Sequence, residues 1–223
     1  MTECELIVVA KHPELGRVKT RLARGIGERG AFDLYCAFVD DIVARFGAGP
    51  HAFAIAYTPA DAPFDVRGAR SFAQQGATLN ARLLAIFDRR DRAPKTLVMS
   101  SDSPHVPGDW IARGFAALDE VDVVLGPCED GGYWCVGMRG AHDIFSGVTM
   151  STPRVLAQTL ERIRVRGLRY ELLPTTFDVD ELGDLDLLRE AIAAQPEALP
   201  ATASALRTLE AAAPLVTSDL YDR

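Results

Sequence analysis

The 223-residue chain has no surplus of positive charge: 24 Lys and Arg stand against 31 Asp and Glu, for a net charge of −7. That balance argues against nonspecific nucleic-acid binding, which needs a basic surface. Cysteine is scarce, with only Cys4, Cys36, Cys128 and Cys135. None stands in a CxxC pair and no His/Cys cluster has zinc spacing, so reduced, mostly buried thiols in a cytoplasmic protein are expected. Long apolar runs are also missing. The run Leu6-Ile7-Val8-Val9-Ala10 is far too short to span a bilayer, and no charged-then-apolar signal pattern accompanies it. There is no G-x-S-x-G and no Ser/His/Asp spacing to mark a nucleophile, and no Walker or GxGxxG pattern, which counts against P-loop NTPase and dinucleotide dehydrogenase readings.

What is present is an alternation of apolar, β-rich runs with longer amphipathic segments, the pattern of an α/β protein. The length suits one domain, residues 1–223, with a helical C-terminal tail over about 196–223. Strands are expected at Glu5–Ala10, Ala52–Tyr57, Ser71–Gln74, Thr96–Ser100, Val121–Leu125, Tyr133–Gly137 and Tyr170–Leu173. Helices are expected at Glu28–Phe46, Thr78–Phe87, Gly108–Leu118, Thr152–Arg166, Glu181–Ala194 and Thr202–Ala213. The strand after Gly131-Gly132 has no room for a crossover helix before it, so it is expected to run antiparallel.

Three places carry candidate chemistry. The segment Lys11 to Leu22, KHPELGRVKTRL, leaves the first strand, turns on Gly16 and presents Lys11, Arg17, Lys19 and Arg21. A glycine-containing loop with cations at the end of a strand suits a polyphosphate. Asp102, in Ser100-Ser101-Asp102-Ser103-Pro104, stands past the carboxyl end of a buried strand, where α/β sheets bind ligands. It can hold Mg²⁺ bridging a diphosphate, or cap the helix after Pro107. Asp178 and Asp180 alternate on an extended segment and can complete a metal site with Asp102, or cap the helix that follows. Between these lies Gly126-Pro127-Cys128-Glu129-Asp130-Gly131-Gly132-Tyr133-Trp134. Its paired glycines permit close backbone approach to a ligand, and Asp130 can contact a ribose, a sugar or an acceptor hydroxyl; a plain hairpin turn is the alternative.

The set AKHPELGRVKTRL, SSDSP, GPCEDGGYWCVG, MST before a helix and FDVDELGDL resembles the DUF2064 family of GT-A-superfamily proteins. That family is glycosyltransferase-like (nucleotide-diphospho-sugar-transferase-like) and is similar to phospholactate guanylyltransferase. The resemblance covers about residues 5–190. It implies a Rossmann-like GT-A fold: a mostly parallel sheet with an antiparallel strand, helices on both faces, and a nucleotide at the carboxyl edge. Carried over by position, it implies phosphate-binding cations at Lys11, Arg17, Lys19 and Arg21, and Arg82 as a further nucleotide-binding residue. It implies Asp102 and Asp180 as ligands to Mg²⁺ or Mn²⁺. It also implies Asp130, Gly131 and Gly132, with Tyr133 beside them, as the acceptor-side loop. The chain departs from the family pattern at Asn80 and Ser100, where glycine is usual, and at Met150, where tryptophan is frequent.

The implied activity is a metal-dependent transferase. It acts on a nucleotide-sugar, or on a nucleoside triphosphate with release of pyrophosphate, together with a small-molecule acceptor. In both reactions Lys19 and the metal neutralise a departing phosphate, with Asp102 and Asp130 as the other catalytic candidates. A nucleotide-binding protein without turnover is the reading from a different class.

Overall fold

The computed structural model describes residues 3–62, 64–66 and 68–212. Seven strands form one sheet: β1 (Cys4–Lys11), β2 (Ala52–Thr58), β3 (Arg70–Ala73), β4 (Lys95–Ser100), β5 (Val123–Pro127), β6 (Tyr133–Arg139) and β7 (Tyr170–Leu172). Their order is β3-β2-β1-β4-β6-β5-β7. In the parallel centre, Val8 of β1 lies opposite Ile55 of β2 and Met99 of β4. β6 runs antiparallel to both β4 and β5, the second pairing being what the short connection through residues 128–132 requires.

The helices are α1 (Ala23–Phe46), α2 (Leu79–Phe87), α3 (Gly108–Ala117), α4 (Val155–Val165), α5 (Asp184–Ala194) and α6 (Pro200–Ala212). Strand alternation sorts them onto two faces. Leu6 and Val8 pack with Tyr35, Val39 and Ile42 of α1 and with Ile111 and Phe115 of α3. Ile7, pointing the other way, packs with Leu83, Ile86 and Phe87 of α2 and Ile163 of α4. Each such side chain, once buried, contributes about 1.5–3 kcal/mol relative to exposure, so β1 is pinned from both sides. A third cluster joins Leu34 and Phe38 of α1 to Leu185 and Leu188 of α5 and Leu206 of α6. Among the described residues no helix is long and apolar enough to cross a membrane.

Three helix starts differ from expectation. α1 begins at Ala23 and is broken at Gly27, whose φ of 78° is non-helical, so the expected start at Glu28 is where the helix resumes. α4 begins at Val155 rather than Thr152. The Val155 N–H donates to the Thr152 carbonyl at 3.2 Å, closing a tight turn instead of a helical one. α5 begins at Asp184 rather than Glu181, because the Asp184 carboxylate accepts the backbone N–H groups of Asp180 at 2.8 Å and Glu181 at 2.7 Å. The expected tail helix is α6, and residues 213–223 of that tail lie outside the described residues.

Candidate active site

The carboxyl ends of β1 and β4 are adjacent, and the loops that leave them meet. Tyr35 of α1 holds the first loop: its hydroxyl accepts the Lys11 N–H at 2.8 Å and donates to the Lys11 carbonyl at 2.9 Å. The same hydroxyl lies 3.5 Å from Ser101 Oγ, at the end of β4. Past β4, the Asp102 carbonyl accepts the Val179 N–H at 2.9 Å, which lays the 176–180 segment alongside. Val179 is fully buried, so Asp178 and Asp180 project to the opposite side of that segment.

These constraints bring Lys19, Asp102 and Asp180 into contact. Lys19 Nζ pairs with Asp102 Oδ1 and lies 3.0 Å from Asp180 Oδ1. Its side chain is only 4% exposed. Its backbone is left-handed, at φ 48°, and its ammonium lies 5.8 Å from the centre of the Phe38 ring. Burial works against the Lys19 charge, but Asp102 and Asp180 more than offset it and hold the ammonium pKa above its usual value. Of the four cations expected to face a polyphosphate from this loop, only Lys19 is buried. Lys19 turns inward, carried by the buried Val18 and Leu22 on either side, while Lys11, Arg17 and Arg21 remain exposed. Arg17 pairs with Glu14 at 3.1 Å and Arg21 with Glu181 at 3.8 Å, both on the surface. Gly16 turns the loop at φ 75°, with Glu28 packed beneath it.

Asp102 does not cap α3. That helix starts after Pro107 with no side-chain cap, and Asp102 faces Lys19 instead. Asp178 accepts the Ser103 hydroxyl. Burial pushes its carboxyl up to about 6; the Ser103 hydrogen bond opposes this, while the charges of Asp102 and Asp180 add to it. Beneath it, His105 stacks on Phe177 with ring centres 4.0 Å apart, and its Nε2 lies 2.8 Å from Thr176 Oγ1. Sequence reasoning missed Tyr35 and Ser103, which sit in a helix core pattern and a serine-rich turn with nothing local to single them out.

The donor chemistry fits a divalent cation. Asp102 and Asp180 are 35% and 46% exposed, so each carboxylate keeps an open side beyond Lys19. Two hard oxygen donors are what Mg²⁺ commonly takes from a protein when substrate phosphates complete its shell. Among the described residues no group of three or more His, Cys, Asp or Glu side chains is placed to hold a metal ion.

The acceptor-side loop is a tight turn between β5 and β6. Asp130 is exposed, and its Oδ1 accepts the Gly132 N–H at 2.8 Å, an Asx turn. Gly131 has φ 85°, and a Cβ there would run into the Pro153 carbonyl, so the loop is seated against the entry to α4. The aromatic pair that follows belongs to the core. Tyr133 packs among the β-sheet and α4 residues with its hydroxyl buried, and burial raises its pKa. Tyr133 is half-buried: its ring packs against the core while its backbone stays next to Gly132. Trp134 is fully buried over Gly126, whose missing side chain makes room for the indole. Arg82, on α2, donates to the Gly76 carbonyl at 3.0 Å and makes no ion pair with the Lys19 cluster among the described residues. Neighbouring Asn80 donates to the Phe145 carbonyl at 2.6 Å and the Val148 carbonyl at 2.9 Å, anchoring the loop before α4.

The family model described as "Uncharacterized protein conserved in bacteria (DUF2064)" matches residues 41–152. No curated protein matches the chain. Among solved structures, a candidate nucleotide-diphospho-sugar transferase from Desulfovibrio desulfuricans G20 is 28% identical, with a TM-score of 0.86 over 95% of this chain and 96% of that one. A cytidylyltransferase from Leptospira borgpetersenii serovar Hardjo-bovis is 9% identical, with a TM-score of 0.60 over 95% of each chain. A CMP:2-keto-3-deoxy-manno-octonic acid synthetase complexed with CTP is 13% identical, with a TM-score of 0.53 over 87% of this chain and 100% of that one. At these identities the last two share the fold with it and no more. Matched by the family model over just over half of its length, the chain belongs to the DUF2064 family.

Proposed function

We propose that this chain is a divalent-metal-dependent glycosyltransferase that uses a nucleotide-diphospho-sugar donor, working in the cytoplasm as one catalytic domain. At the coarser level, the chain is a nucleotide-utilising transferase with the fold of that class. The observation that carries the finer reading is the buried contact of Lys19 with Asp102 and Asp180, beneath a loop whose other cations face solvent. A sugar donor is favoured by the Desulfovibrio neighbour, a candidate nucleotide-diphospho-sugar transferase that matches nearly the whole chain.

In this reading Lys11, Arg17 and Arg21 draw the diphosphate to the loop, and Gly16 lets the backbone approach it. Asp102 and Asp180 hold Mg²⁺ or Mn²⁺, which when bound supplies charge neutralisation of the phosphate leaving group. Lys19 adds a buried positive charge where negative charge develops, in a setting that weakens it less than water does. Asp130, Gly131 and Gly132 border the acceptor, and Asp130 is the proposed base that takes a proton from an attacking hydroxyl. A second reading, nucleotidyl transfer, rests on the three exposed cations of the loop, a density that also suits a triphosphate.

The test is to incubate the protein and Mg²⁺ with UDP- and GDP-sugars and with the four ribonucleoside triphosphates, each in the presence of a pool of small-molecule acceptors bearing free hydroxyl and phosphate groups. Release of a nucleoside diphosphate from a sugar donor is expected. Release of pyrophosphate from a triphosphate selects the second reading, and no release from any donor contradicts both.

A further inference from the structure

We infer that Lys19 is the resident counter-cation of the Asp102–Asp180 pair, and that a divalent ion enters the site together with a nucleotide, whose phosphate takes over the lysine ammonium. The inference rests on the proposed function and adds an order of events to it.

Lys19 Nζ carries three N–H donors, and two are engaged by the carboxylates. A bare divalent ion placed against the same two acids would stand beside a fixed like charge, or would evict it. Eviction leaves a buried ammonium without a partner, which is strongly unfavourable. The stem has little freedom to find another partner, because the Lys19 backbone is fixed at φ 48°, its side chain is 4% exposed, and Val18 and Leu22 beside it are buried. Lys11, Arg17 and Arg21 of the same loop are exposed and carry the charge that would bring an anion to it. A phosphate held there offers the ammonium an anionic partner and frees both carboxylates for the metal. Metal and nucleotide therefore strengthen each other's binding, by the same factor in each direction.

The experiment counts free Mn²⁺ by electron paramagnetic resonance during titration of the full chain, without nucleotide. Lys19→Met is expected to bind Mn²⁺ at least fivefold more tightly than the wild type. Arg21→Met removes an equal charge from the same loop without touching the acids, and is expected to change Mn²⁺ affinity less than twofold. Equal tightening in both variants, or none in Lys19→Met, overturns the inference.

A second measurement leaves the protein unaltered, in case Lys19→Met fails to fold. The ε-methylene resonance of Lys19, in protein labelled with ¹³C-lysine, is expected to stay in place with Mg²⁺ alone. It is expected to move when Mg²⁺ is added with whichever ribonucleoside triphosphate or UDP- or GDP-sugar binds. Movement of the same size with Mg²⁺ alone overturns the inference while leaving the proposed function standing. Failure of every one of those nucleotides to bind in the presence of Mg²⁺ contradicts the proposed function and the inference together.

Discussion

Lys19 Nζ donates to Asp180 Oδ1 at 3.0 Å across 161 residues of sequence. The contact ties the first loop of the chain to the segment that precedes α5, with Asp102 from the centre of the sheet as the third member. If these acids hold the metal, Asp102→Asn and Asp180→Asn each lower turnover by about 10²–10³-fold, the usual scale for losing one preorganised electrostatic group. Both variants keep the fold, because the acids are partly exposed and Lys19 retains one partner in each. Initial rates and circular dichroism check the two halves of this prediction.

The exposed cations act differently. Arg17 and Arg21 are 75% and 67% exposed, so solvent and salt screen them. Arg17→Ala is expected to raise KM for the donor about three- to tenfold with little change in kcat, and the difference from wild type is expected to shrink as ionic strength rises. Steady-state kinetics at low and high salt measure it. A large loss of kcat would place Arg17 at the reacting atoms instead.

The turn between β5 and β6 separates structure from function by two substitutions. Gly131→Ala must take a positive φ and displace the Pro153 carbonyl, so a loss of about 1–3 kcal/mol is expected from the backbone alone. Asp130→Ala loses one hydrogen bond of an exposed turn, about 1 kcal/mol, but also the proposed acceptor-side carboxylate. Urea unfolding should therefore rank Gly131→Ala as the less stable, and rate measurements should show Asp130→Ala slowed beyond its modest destabilisation.

Two buried groups near the site give opposite pH slopes. Burial, helped by Arg45, lowers His105 from 6.5 to about 4, so between these values the unfolded chain binds more protons and stability rises with pH. Burial raises Asp178 from 3.8 to about 6, so there the native state holds more protons; its contribution is present at low pH and lost as pH rises through 6. In the wild type the two offset each other. Asp178→Asn uncovers the histidine slope: its unfolding free energy at pH 4.5, relative to pH 7, falls by on the order of 2 kcal/mol more than that of the wild type. His105→Gln shifts the same difference the other way. Urea unfolding at both pH values reads each sign.

The framework of the fold was legible because burial on both faces writes itself into sequence. The runs at Leu6–Ala10 and Leu97–Met99 admit few polar residues, and the short Asp130-Gly131-Gly132 connection forces β6 to run antiparallel. Asp102 and Asp180 stand out in the sequence as acids beyond strand ends, and the structure brings both to Lys19. The inward turn of Lys19 was not, because one cation among four in an aperiodic loop looks like its neighbours. Its one local signal was the apolar Val18 and Leu22 flanking it, both buried in the structure. Trp134 differs in the opposite sense, since an aromatic beside a glycine turn resembles a ligand site yet is fully buried. Here the missing side chain of Gly126 makes space for a core indole. Helix starts shifted where side chains rather than periodicity set the boundary, as Asp184 does before α5.

The central claim is that Asp102 and Asp180 serve a metal-bound nucleotide. Its most direct test is the thermal shift produced by nucleotide-sugars and triphosphates, with and without Mg²⁺, in the wild type and in Asp102→Asn. A rise in Tm is expected with one nucleotide class, requiring Mg²⁺ and disappearing in Asp102→Asn. A shift of equal size without Mg²⁺, or one retained in full by Asp102→Asn, would contradict the claim.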